Sequence, residues 1–150
     1  EYATTIAASL GRFYLQRSRS VGLVVGGEHV QVLPSDRGGR QLGKILEALA
    51  LVRAEGSLPL HGLVEAQARH LPRGSTAVMI TPSAADTVFQ TADMLLRRGL
   101  RPVAVLLDST TFGGYFSPDR LAANLQALGI PVCTVRDGDN LANTLCAAVR

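Results

Sequence analysis

From Thr76 to its end the chain alternates short apolar runs with helical stripes, three times over. Ala77-Val78-Met79-Ile80, Val103 to Leu107 and Ile130 to Val135 carry apolar residues at neighbouring positions rather than only at alternate ones. That pattern suits strands covered on both faces. A helix follows each: Asp86 to Arg98 with Val88, Ala92, Leu95 and Leu96 inward, Leu121 to Leu128, and Asn140 to Val149. Strands joined in this way pair in parallel, because a parallel return needs a crossover of a dozen or more residues. The element ends are marked too. Ser83 with Asp86 resembles a capping box, and Ser117 then Pro118 reads as N-cap and first helical residue. Gly99 and Gly129 stand where helices stop.

The first half is less regular. Ile6, Leu10, Phe13 and Tyr14 form one face of a helix over Glu1 to Arg17. Val21 to Val25 reads as a strand that Gly26-Gly27 reverses. His29, Val30, Gln31 and Val32 alternate as an antiparallel edge strand that Leu33-Pro34 ends, and Asp36 to Gly39 is a loop. Leu42, Ile45, Leu46, Leu49 and Val52 then make a helical stripe up to Gly56, and a second helix covers Leu60 to His70. With 150 residues, one domain is expected. The chain opens at Glu1 in helical pattern, without a cap or an initiator Met, as expected of a piece whose true start lies upstream.

Composition narrows the function classes. Hydrophobic residues make up 47% and charged residues 18%, which argues against disorder. No apolar run reaches the ~18 residues of a spanning helix, so no membrane contact is expected. The 15 basic residues are all Arg except Lys44, and net charge is +3. They are scattered along the sequence with few aromatics beside them, and nucleic-acid binding is not expected. Cys133 and Cys146 make neither a disulfide framework nor a zinc spacing, and read as buried thiols.

The order helix, hairpin, two helices, three strand-helix units resembles the von Willebrand factor A domain with its first strand removed. Ala7-Ala8-Ser9-Leu10, Val21-Gly22-Leu23-Val24, Leu33-Pro34, Arg37-Gly38, Gln41-Leu42, Ile45-Leu46-Glu47-Ala48-Leu49-Ala50 and Arg73-Gly74-Ser75 are similar to a bacterial family known as domain of unknown function fifty-eight. The resemblance spans the whole chain. It implies a doubly wound, mostly parallel sheet with one antiparallel edge strand, first strand absent. It also implies a cytoplasmic domain of a membrane-anchored protein, with a MoxR-type AAA ATPase or an envelope protein as partner. The parent fold holds a divalent cation through an Asp-x-Ser-x-Ser loop after the first strand, a later Thr, and an Asp after the fourth strand. Here Ile80-Thr81-Pro82-Ser83 stands where Ile-Thr-Asp-Gly would be, and Pro82 has no ligating side chain. Neither a metal nor another cofactor is expected.

Asp108-Ser109-Thr110-Thr111 lies at the carboxyl end of a strand, where α/β sheets place ligands. It lacks the base and the Gly-x-Ser-x-Gly elbow of a nucleophile, and reads first as a loop that satisfies its own backbone. Phe112, Tyr115 and Phe116 follow it and could anchor a partner or fold back over the sheet. With Thr81 and Ser83 they complete the candidate partner-binding set. Arg37-Gly38-Gly39-Arg40 before a helix could present N–H groups to an anion, without a phosphate-loop pattern. His29, His61 and His70 have no ligand partner at helical metal spacing. The expectation is a non-enzymatic protein-binding module. The alternative is a small-ligand or nucleotide-binding enzyme domain using Asp108, Ser109 and the Arg37 to Arg40 loop. Removing a central strand would leave open edges, so this chain is expected to form a homodimer or swapped assembly.

Overall fold

The computed structural model describes residues 2–53 and 59–149, with side chains to residue 145. The chain divides into two compact units, Glu1–Pro59 and Leu60–Arg150. Its strands form two separate sheets, an antiparallel pair and a parallel set of three.

In the first unit, α1 (Tyr2–Gln16) buries Ile6, Leu10 and Gly11. A side-chain carbon at Gly11 would touch Ile45 at 3.5 Å, which is how α1 approaches the helix that follows the hairpin. Phe13 and Tyr14 are half-buried, and the Arg17 guanidinium lies 3.5 Å from the Phe13 ring centre. The helix stops at Ser18, which adopts φ 58 while Arg19 N and Ser18 N donate to Tyr14 O and Leu15 O. That is a Schellman ending with serine in the place glycine usually takes.

Strands β1 (Val21–Val25) and β2 (Gln31–Asp36) pair antiparallel. The return strand begins two residues later than its alternation suggests and runs through Leu33-Pro34 to Asp36 instead of ending there. A bulge explains this. The register slips by one residue between Leu23↔Leu33 and Val21↔Asp36, so Gly22 faces Pro34 and Ser35 together. Proline, which has no N–H for the ladder, is tolerated at such an irregularity. Gly22 is needed because a Cβ there would sit 2.9 Å from Leu33 O.

Helix α2 (Gly39–Ala50) buries Gln41, Ile45 and Leu49. The expected stripe is therefore rotated. Leu42 is half-buried, Leu46 is exposed, Val52 lies beyond the helix end, and Gly56 is outside the described residues. Gln41 takes the inward position because its Nε2 donates to Val21 O at 2.7 Å and Pro34 O at 2.9 Å, one carbonyl from each strand.

The second unit opens with α3 (Leu60–Ala68), shorter by two residues than its pattern suggests. Strands β3 (Thr76–Thr81), β4 (Arg101–Leu107) and β5 (Val132–Val135) then pair in parallel, with β4 in the centre. The three strand-helix units are thus present as expected. β5 is shorter than Ile130 to Val135 because Pro131 precedes the ladder. Helices α4 (Asp86–Arg97) and α5 (Asp119–Ala127) supply Val88, Ala92, Leu95, Leu121 and Leu125 to one core with Met79, Ala104 and Leu106. Alternation puts Val105, Cys133 and Val135 on the other face, and Cys133 Sγ meets Thr144 O of α6 (Leu141–Val149) at 3.4 Å. Burial pushes the Cys133 thiol up from its ordinary range, with the charge of Asp139 adding to the effect.

Helix ends follow the sequence with two corrections, at the starts of α4 and α5. Pro118, expected as the first helical residue, is itself the N-cap of α5, which has no side-chain cap. Ser117 Oγ, expected to cap the helix, accepts from Asp119 N at 3.3 Å. Gly99 and Gly129 take φ +79 and +80, and Leu100 N and Ile130 N close back on Leu95 O and Leu125 O. Asn140 Oδ1 caps α6 by accepting from Ala142 N and Asn143 N. The Ser83–Asp86 capping box does not form. α4 starts after Ala85 without a side-chain cap, and Ser83 Oγ instead accepts from Ala85 N within the preceding turn. Leu96 is exposed, and buried Thr91 joins the inward face of α4. Thr91 is accommodated because its hydroxyl donates to Thr87 O and lies 2.9 Å from His61 Nδ1. Among the described residues no helix is long and apolar enough to cross a membrane.

Candidate interaction site at the carboxyl end of the parallel sheet

The parallel register decides what surrounds Asp108. Leu107 faces Val135, so the next residues out of the two strands, Asp108 and Arg136, leave the sheet side by side. Asp108 N donates to Val135 O at 2.8 Å, which carries the pairing one step past the strand. The Asp108 side chain is buried, and both carboxylate oxygens are engaged. Oδ1 accepts from Thr110 Oγ1 at 2.6 Å and Thr110 N at 3.2 Å, while Oδ2 accepts from Arg136 Nε at 3.3 Å. The hydrogen bond from the Thr110 hydroxyl is the main reason the carboxyl titrates below its usual range. Burial opposes that shift, and the Thr110 amide and Arg136 reinforce it.

The rest of the loop is built on this anchor. Asp108 caps a short 3-10 turn over Ser109–Phe112, and Gly113 ends it at φ 88. Thr111 Oγ1 donates to Asp108 O at 2.8 Å and accepts from Asp137 N at 2.9 Å, tying the β4 loop to the β5 loop. Ser109 Oγ donates to Phe116 O at 2.9 Å, and Gly114 N donates to Ser109 O at 2.7 Å. The loop closes so tightly that a Cβ on Gly114 would lie 2.9 Å from Ser109. On this pinned backbone two aromatic side chains point outward, Tyr115 at 92% exposed and Phe116 at 74%, while Phe112 at 41% is more than half covered. Tyr115 and Phe116 do not fold back over the sheet.

The other candidate residues fall into separate places. Thr81, at the end of β3, is buried with its Oγ1 accepting from Ser83 N at 3.1 Å. Ser83 is half-buried, and Pro82 between them is exposed. The Arg37 to Arg40 loop belongs to the first unit. There Gly38 takes φ 89, Arg37 N donates to Asp36 Oδ1 at 2.7 Å, and Arg37 Nε reaches Ser20 Oγ at 3.1 Å. The start of α2 thus has a carboxylate of its own beside it. His29 and His70 are exposed, and His61 is half-buried against Thr91. Among the described residues no three His, Cys, Asp or Glu side chains gather as metal ligands.

Arg136 is the residue of this site that sequence reasoning misses, since it lies 28 positions from Asp108 and only the β4–β5 register joins them. Comparison with family models, with curated proteins and with solved structures finds no match to this chain. The architecture itself, a three-stranded parallel sheet flanked by helices with a small antiparallel pair, is that of a mixed α/β protein.

Proposed function

We propose that the chain is a non-enzymatic protein-binding module with a von Willebrand factor A-like, doubly wound architecture. It engages its partner through the loop after β4. The observation that carries this reading is the outward presentation of Tyr115 and Phe116 on a backbone already held by Ser109, Asp108 and Arg136. A loop whose backbone is held this way loses little further freedom on binding, and tyrosine is among the residues enriched at interface hot spots. Asp108, with both oxygens engaged within the fold, serves the loop as a brace. The partner is a MoxR-type AAA ATPase or an envelope protein, met in the cytoplasmic part of a membrane-anchored parent. Removing Tyr115 and Phe116 together (Tyr115→Ser, Phe116→Ser) is expected to weaken binding to that ATPase at least tenfold by calorimetry, with the melting temperature unchanged. Binding is expected to persist without magnesium once the ATPase's own nucleotide metal is controlled for. Equal affinity in the double variant would refute the loop as the contact. A nucleotide present at a hundred times its dissociation constant would add about 2.7 kcal/mol to stability, so a thermal shift with nucleotides would instead favour a ligand-binding enzyme domain.

The open sheet edges support a second proposal, that this chain self-associates. Among the described residues β1 pairs only with β2, and β3 only with β4.

A further inference from the structure

The ladder between β3 and β4 fixes which backbone groups β3 presents at its open edge. Arg101 N donates to Ser75 O at 2.9 Å, and on the far side of β4 Ala104 N donates to Pro131 O at 3.0 Å. In a parallel ladder the N–H and C=O of one residue point to the same side, and those of the next residue to the other. Ser75, Ala77, Met79 and Thr81 therefore turn their backbone groups to β4, with which β3 pairs without a break from Thr76↔Arg101 to Thr81↔Leu106. Thr76, Val78 and Ile80 turn theirs to the open side, where among the described residues no strand pairs with β3. The same alternation puts the Val78 and Ile80 side chains on the face opposite Met79, which lies in the core with residues of α4 and α5. Both are half-buried, whereas Val105 of β4 on that face is 1% exposed.

The other strand edges are less suited to pairing. β2 carries Pro34 and Asp36, β5 has four residues with Pro131 just before them, and β1 loses its register between Val21 and Leu23. Proline, charge, short length and bulges are the devices that keep an edge from recruiting another strand. β3 has none of them.

We propose that β3 pairs antiparallel with β3 of a second copy about a two-fold axis at Val78, joining two three-stranded sheets into one. This rests on the self-association proposed above and names its surface. In this register Val78 lies opposite Val78 of the second copy, and Thr76 opposite Ile80. All three residues face the open side, and residues directly opposite in that arrangement exchange both N–H···O bonds. The strand is thus its own complement, as a two-fold interface requires. A parallel pairing would need the two strands displaced by one residue, which no two-fold axis allows. Val78 meets its counterpart across the axis as a β-branched pair, and β3 contains no charged residue to oppose its like.

Charge placed at the axis tests the pairing. Val78→Lys sets like charges directly opposite each other, Val78→Glu does the same with the other sign, and a mixture of the two makes the opposition attractive. By sedimentation equilibrium the wild-type chain is expected to reach a dimer. Each variant alone should raise the dimer dissociation constant at least tenfold, and the equimolar mixture should recover association, with circular dichroism reporting the folding of each. Should charge at half-buried Val78 unfold the strand, Thr76→Pro takes its place. Thr76 is exposed and its N–H points to the open edge, so proline there removes a donor to the second copy and spares the ladder to β4. The same tenfold loss is expected, while Val24→Lys on β1 should leave the dimer unchanged. A wild-type chain that stays monomeric over a hundredfold range of concentration would refute self-association and this pairing together. A dimer that persists in the folded Val78→Lys or Thr76→Pro chain, or is lost only with Val24→Lys, would overturn the β3 pairing and leave self-association standing.

Discussion

Asp108 and Gln41 are buried polar side chains whose every assigned partner is structural, and each makes a prediction at the scale of a single residue. Asp108 titrates below the ordinary carboxyl value of about 3.9, so between its folded pKa and that value the unfolded chain binds a proton the native chain does not. Its contribution to stability is therefore complete above that window and is lost as pH falls through it. Asp108→Asn should lower the denaturant midpoint at neutral pH, by an amount that shrinks as acid takes the pH down through that window. A gap that stays constant with pH would show that the charge is not what matters. Gln41, at 2% exposure, gives one amide to two carbonyls. Gln41→Met leaves both without that donor, for a loss of about 1–3 kcal/mol in urea unfolding. Gln41→Glu should be worse at pH 7, because a carboxylate cannot donate and repels both oxygens, and should recover when acid protonates it. Equal losses for the two variants would contradict the assigned hydrogen bonds.

At the scale of elements, the most testable feature is the end of α1. Ser18 sits at φ 58 in a Schellman ending, a conformation that costs an L-residue roughly 1–2 kcal/mol. Glycine removes that strain but adds freedom to the unfolded chain, worth about 0.4–1 kcal/mol. Ser18→Gly should therefore raise stability by about 0.5–1 kcal/mol, a shift of roughly 1–4 °C in melting temperature for a chain this long. Ser18→Val should do the opposite, and a calorimetric scan of the pair reads the difference. The stops of α4 and α5 were legible in this way, because Gly99 and Gly129 act through local backbone geometry. The hairpin was less so. Its boundaries moved because the bulge at Pro34–Ser35 depends on Gly22 across the pair, and no window along one strand contains both. The Ser83–Asp86 pattern failed for a related reason: the Ser83 hydroxyl closes the turn before α4 instead of reaching into the helix.

For the whole molecule, the question is what meets the open strand edges. β2 carries Pro34 and Asp36, residues that discourage further pairing, whereas β1 (Val21–Val25) and β3 (Thr76–Thr81) contain neither proline nor charge. Strands of that kind template association, so light scattering on this chain should give a mass that rises with concentration. A mass fixed at one chain over a hundredfold range would argue against the self-association proposed above. Sequence by itself determined the kinds of element and the parallel pairing of β3, β4 and β5, because apolar runs, helical stripes and glycine stops are local consequences of burial and backbone sterics. It also placed Asp108 and the aromatic loop at a strand end. Only the tertiary structure decided that Arg136 braces Asp108, that Gln41 turns inward beneath the hairpin, and that Arg73 lies alongside Gly99. Those neighbours are set by strand register and chain reversal, which bring together residues that no local pattern connects.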